Sequence, residues 1–281
     1  MPVMRCRLRA HAVEWHMAPA AHIDARHRSG FLELQRRCNN ELCRHAALTR
    51  NTWLDRIEKT AAGLETLLPT LQQLAIFLRQ LALAREHHTL LLSEGHSLPE
   101  SDSGTAVVIC FDENGVPWCT PLPVMGLGDP YVFSERLHDW WSAWLNMSPH
   151  MAPEWGLQQA WPATRKLCEL IERNYNADDL STGLGVLLGL ENGISTDIWQ
   201  RLGRNLRQRC DSAGVIFPDA GFFPVAETHA RLQARHGLYL VEAASVHDAL
   251  DTKRFFLASQ QALEALDALW HTLAQKLPLT H

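Results

Sequence analysis

Apolar residues recur three and four positions apart over most of this chain, the spacing of one face of a helix. They do so across residues 31–60, and again through Leu67–Leu92, a long Leu- and Ala-rich stretch. Pro69 stands near the start of that stretch, where a missing N–H costs little. The period fails after Glu94-Gly95-His96, and residues 97–104 are polar and Ser-rich, a loop signal. Thr105–Phe111 then reads as a strand, Asp112-Glu113-Asn114-Gly115 as a hairpin turn, and Val116–Cys119 as a short returning strand. Residues 120–130 hold three Pro and two Gly and read as a structured loop. Helical spacing resumes at 133–145, 161–175, 180–209, 223–246 and 252–276, with Phe217-Pro218-Asp219-Ala220-Gly221 breaking it once. The pattern predicts an all-α helical bundle, one domain over residues 1–281. Residues 97–130 form an insertion between core helices, with a small β-hairpin around 105–119.

Composition narrows the class. Hydrophobic residues make up 46% of 281, enough for a sizeable core, and the formal charge is −5 with Lys and Arg scattered. That is not the footprint of a nucleic-acid binder. No apolar run reads as a bilayer span, and the first residues lack the apolar stretch of a secretory signal. Cys6, Cys38, Cys43, Cys110, Cys119, Cys168 and Cys210 are an odd number without C-x-x-C spacing, which fits reduced thiols in a cytoplasmic protein.

Two short segments carry metal-ligand spacing: Glu135-Arg136-Leu137-His138, and His229 followed seven residues later by His236. Residues three or seven apart on a helix return to neighbouring directions. Glu191 lies between them, inside the apolar run Gly185–Gly193. A buried carboxylate must be paired, protonated or bound to a cation. It either binds a metal, or else sits at a solvated bend or pairs with an arginine such as Arg201. If the three segments face one core, they bring two carboxylates and three imidazoles together, an iron-binding set of the kind found in helical bundles. Each motif also has a plainer reading. Glu135 and His138 can be a helix-surface pair, and the chain has 15 histidines in all.

The order Glu-x-x-His, then a lone Glu, then His-x6-His resembles the heme-oxygenase-like diiron oxidase/oxygenase family. The likeness runs over roughly residues 40–250 without the insertion. It is carried by Glu135–Trp141, Leu190-Glu191-Asn192-Gly193, Phe222-Phe223 leading into His229 and His236, and Pro69-x-x-Gln72. It implies a heme-oxygenase-like bundle that uses Fe, one or two ions, and O2 as co-substrate. Glu135, His138, Glu191, His229 and His236 would be the metal ligands. The chain departs from the family where Gln72 and Gln233 stand in place of carboxylates. Neutral amide oxygens hold iron less well, and losing two charges weakens the case for two adjacent ions. Gln72 and Gln233 would be weak ligands or hydrogen-bond the substrate.

The resemblance therefore implies an iron-dependent oxidase/oxygenase acting on a small molecule, amino-acid- or fatty-acid-like, in a biosynthetic pathway, with a mononuclear or altered site. Its alternatives are a metal-free enzyme of the same fold, in which the histidines act as acid/base groups, and a non-catalytic pathway partner. No nucleic-acid or membrane partner is expected, and a homodimer is compatible by analogy. Heme oxygenase itself is disfavoured. His45, the nearest candidate for a proximal ligand, reads as a structural residue at a helix start.

Overall fold

A computed structural model describes residues 4–9, 12–17, 25–60, 63–95, 107–111, 117–121, 156–175, 177–194, 196–214 and 250–278, with isolated positions between 223 and 245. Its core is helical. In chain order come α1 (Ala25–Arg37), a π-turn (Cys38–Leu42), α2 (Ala46–Thr49), α3 (Thr52–Lys59) and α4 (Leu64–Gly95). Further along come α5 (Pro162–Asn174), α6 (Leu180–Gly193), α7 (Thr196–Ala213) and α8 (Thr252–Gln275). Two antiparallel hairpins accompany them. Strands Met4–Arg9 and Ala12–Met17 form one, and Val107–Phe111 and Pro117–Pro121 the other, with Val107 opposite Pro121. The second occupies the stretch where the sequence places a hairpin.

Polar side chains cut the helical pattern into pieces. The run 31–60 is not one helix. Its N-caps are His45, whose Nδ1 accepts from the Ala47 N–H at 3.2 Å, and Asn51, whose Oδ1 accepts from the Leu54 N–H at 3.0 Å. Such caps satisfy donors that a helix start leaves orphaned. His45 is thus a structural residue at a helix start. The run 180–209 likewise divides, with Ile194 closing α6 before Thr196 opens α7. Helix α4 begins at Leu64, so Pro69 sits inside it rather than at its start, on an exposed face. There the ring removes the bond to the Glu65 carbonyl, a larger cost than at the first turn.

Helix α8 is the axis of the packing and touches α2, α3, α5 and α6. Eleven of its residues, among them Phe255, Ala262, Leu266 and Trp270, are buried. Against α6 the two backbones come unusually close. A Cβ added at Gly185 would lie 2.4 Å from the Phe255 carbonyl oxygen, and one at Gly189 would lie 3.0 Å from that of Ser259. Glycines four apart make a flat stripe on α6, into which Ala258, Ser259 and Ala262 of α8 settle. Ser259 Oγ donates to the Gly185 carbonyl at 3.0 Å, and the Asp251 N–H donates to Ser181 Oγ at 2.8 Å. On another face of α6, the helical residue Gly237 comes up against the Leu187 side chain. Ala226, Ala230, Val241 and Ala244 are helical and buried as well, at the spacing of one helix face.

The expectation that no segment could span a bilayer needs correction. Leu64–Arg85 is long and apolar enough by length and composition, but 72% of its most apolar window is buried inside the bundle. A core helix covered on several sides has the same composition as a membrane span. Among the described residues, Cys38, Cys43, Cys168 and Cys210 are free thiols, all buried. Burial raises the Cys168 thiol to about 12, so it packs as a small hydrophobe.

Candidate functional site: a buried carboxylate held by Arg85 and Tyr175

Glu191 occupies the last turn of α6, a helix in which every residue from Gly183 to Gly193 is buried. Only 1% of Glu191 is exposed. It neither stands alone nor pairs with Arg201. Arg85 of α4 meets it with a two-pronged fork, Nε to Oε1 at 2.7 Å and Nη2 to Oε2. The Tyr175 hydroxyl, at the end of α5, donates to Oε1 at 3.0 Å. Planar guanidinium matched to planar carboxylate is the strongest side-chain pairing available to an interior charge. Burial and then the Glu191 charge push the Tyr175 phenol well above its ordinary range, so it stays a donor. The three residues tie α4, α5 and α6 at one buried point.

Arg201 cannot serve Glu191 because it is committed elsewhere. Its guanidinium contacts Glu58 at 2.7 Å, Asp55 at 2.8 Å and Asp197 at 3.7 Å. The hydrogen bond from Arg201 holds the Glu58 carboxyl below its usual range. At Asp55 burial works the other way, but hydrogen bonds and charge from Arg201 and Arg50 outweigh it. A cavity of about 290 Å³ lies beside this cluster, lined in part by Arg50, Asn51, Asp55, Asp197 and Arg201. Glu191 does not line it.

Of the seven candidate site residues named from the sequence, Glu191 and Gln72 are described. Glu135, His138, His229, Gln233 and His236 lie outside the described residues. The structure does not bring Gln72 to Glu191. Gln72 stands thirteen positions before Arg85 on the same helix, a rise of about 20 Å. Gln72 is half-buried, and its Nε2 donates to Gln159 Oε1 at 3.3 Å. The neighbouring Gln73 is the buried amide. It donates to the Gln159 carbonyl at 3.1 Å and accepts from the Trp161 N–H at 2.7 Å, fixing the turn that leads into α5.

As placed, Glu191 does not fit a metal ligand. Oε1 already accepts from two donors and Oε2 from one. An ion on the remaining lone pair would lie beside the guanidinium. A divalent ion about 5 Å from that charge meets a repulsion of roughly 7 kcal/mol at an effective dielectric of about 20. Among the described residues, no cluster of three His, Cys, Asp or Glu side chains could hold a metal ion.

Arg85 and Tyr175 carry the described polar centre, and the sequence reading singled out neither. A signal was available for Arg85. It follows Leu78 and Leu81 at helical spacing on the buried face of α4, so an arginine there must meet an interior anion. No family model, no curated protein and no solved structure matches this chain.

Proposed function

We propose that this chain is an iron-dependent, O2-using oxidase/oxygenase of the heme-oxygenase-like kind, built for one iron rather than two. Its substrate would be a small amino-acid- or fatty-acid-like molecule, bound among the core helices. The order of motifs supports the iron: Glu135-x-x-His138, then His229 and His236, could supply imidazole and carboxylate to a single ion with open positions for dioxygen. The observation that carries the choice of one ion is the commitment of Glu191 to Arg85 and Tyr175. The neutral amide Gln233, seated between the two histidines in sequence, supports it further, since it adds none of the negative charge a second ion needs. The apolar helices around such a centre would keep water from the reacting molecule.

The same ion pair also favours a second reading. A buried carboxylate that already has its counter-charge needs no metal, so a metal-free protein of this fold is the competing description. Anaerobic loading with Fe(II), followed by metal analysis of the desalted protein, separates the two. The one-iron reading expects close to one ion per chain, lost in His236→Ala. Two ions would restore the diiron description. No iron, or a His236→Ala variant that binds as well as the unmodified protein, would leave the metal-free reading standing.

A further inference from the structure

The cavity beside Arg201 has no part in the proposed iron chemistry, and Glu191 does not line it. We infer that this cavity binds a small zwitterion, an α-amino acid with a short aliphatic side chain, whose carboxylate meets Arg50 and whose ammonium meets Asp197.

Three observations converge on that class of ligand. First, the ionic side chains on the wall alternate in sign. Arg50 contacts Asp55 at 3.4 Å, Asp55 contacts Arg201 at 2.8 Å, and Arg201 contacts Asp197 at 3.7 Å. The two end contacts are the long ones, and the two ends carry opposite charge. Among the described residues the wall has two positive and two negative side chains. A lone anion would therefore also meet Asp55 and Asp197, and a lone cation would also meet Arg50 and Arg201. A molecule with both charges close together suits both ends at once, through charge-assisted hydrogen bonds. Second, Asn51 holds a donor in reserve on the same wall. Its Oδ1 caps α3, while its Nδ2 is buried with no hydrogen-bond partner among the described residues. A buried donor without an acceptor is costly, and a ligand carboxylate would supply the acceptor. Third, the space is small and partly apolar. A volume of about 290 Å³ sits at the low end of small-molecule sites, and Leu48 and Ile198 offer an aliphatic side chain apolar contact. The Arg50 side chain is 70% exposed, so it can turn to a ligand without disturbing the core. Arg201 is only 13% exposed and also held by Glu58, which makes it the fixed member of the row.

The test uses the full chain and L-leucine. A ligand that binds only the folded protein raises its melting midpoint, so L-leucine at millimolar concentration should do so. Isothermal titration then compares L-leucine with isocaproate, which lacks the ammonium, and isoamylamine, which lacks the carboxylate. Each should bind roughly tenfold to a hundredfold more weakly, as expected for losing hydrogen bonds to a charged group. Arg50→Gln and Asp197→Asn should weaken L-leucine binding by similar factors. Asn51→Ser keeps a cap on α3 and removes the amide donor, and it should weaken binding as well. Circular dichroism checks that each variant is folded, and a variant that is not is set aside in favour of the other two. Absence of any L-leucine binding overturns the inference. So does isocaproate or isoamylamine binding as tightly as L-leucine, or an affinity unchanged in any folded variant. Iron content does not enter the readout, so the outcome is independent of the one-iron reading.

Discussion

Removing one side chain from the Glu191 cluster should cost more than removing two. Glu191→Ala strands the Arg85 guanidinium in the core, and Arg85→Ala strands the carboxylate. A broken buried pair typically costs about 3–5 kcal/mol. Replacing both charges with apolar groups, as in Arg85→Met with Glu191→Leu, should recover most of that loss, because the desolvation of both ions disappears with them. Urea unfolding of the two single variants and the double variant measures the coupling. If the two single losses simply add in the double variant, the pair is not a unit. This cluster also shows where sequence reading stops at the residue scale. That Glu191 is buried was legible, since it interrupts Leu187-Leu188-Gly189-Leu190. Its partner was not. Arg85 lies 106 positions away, while Arg201, only ten away, is drawn off by Asp55 and Glu58. Sequence pattern shows that a charge needs a partner, but only the packing of α4 against α6 decides which one it meets.

Close packing of α6 on α8 makes glycine-to-alanine changes diverge in sign. In an exposed helix, Ala is favoured over Gly by about 1 kcal/mol. Gly30 of α1 is exposed, with nothing within 4 Å of an added Cβ, so Gly30→Ala should stabilise by about that amount. Gly185→Ala should do the reverse. Its new methyl would press on the Phe255 carbonyl, a backbone atom that cannot rotate away. A destabilisation of about 1–3 kcal/mol is expected, the usual cost of overpacking. Gly189→Ala should fall between the two, because its contacts with Ser259 and Ala262 start at 3.0–3.1 Å. Thermal melts of the three variants check the order, and a stabilising Gly185→Ala would refute the close approach. Element existence was largely legible here: 161–175 and 252–276 nearly coincide with α5 and α8. Boundaries were less so. Apolar spacing runs straight through the breaks before Ala46, Thr52 and Thr196, where capping side chains or a turn end the helix. The glycine stripe was visible in the sequence as well, but spacing alone could not tell a flexible run from a packing face.

At the scale of the whole molecule, the first part of the chain depends on the last. Helix α3 is held almost entirely by residues far along the sequence. Trp53 stacks on Trp270, with ring centroids 6.0 Å apart and planes 4° from parallel. Thr60 Oγ1 donates to the Pro278 carbonyl at 3.2 Å. Arg209 donates to the carbonyls of Ile57 and Thr60, both at 2.7 Å, and Arg201 holds Asp55 and Glu58. These contacts close loops of 143–218 residues, so the loop-closure cost must be met before they contribute anything. An eight-residue helix is marginal by itself in water. A chain ending at Leu250 would also lose α8, and with it the face on which α2, α3, α5 and α6 converge. Such a chain should therefore unfold without a cooperative transition, and the amides of Trp53–Thr60 should exchange as fast as in an unfolded peptide. In the full chain the same amides should be protected nearly as well as those of α8, because both open only when the bundle does. Hydrogen exchange read by mass spectrometry compares the two directly. Persistent protection of α3 in the shortened chain would mean that α3 and α4 form a folding unit of their own, and that α8 completes the bundle rather than organising it.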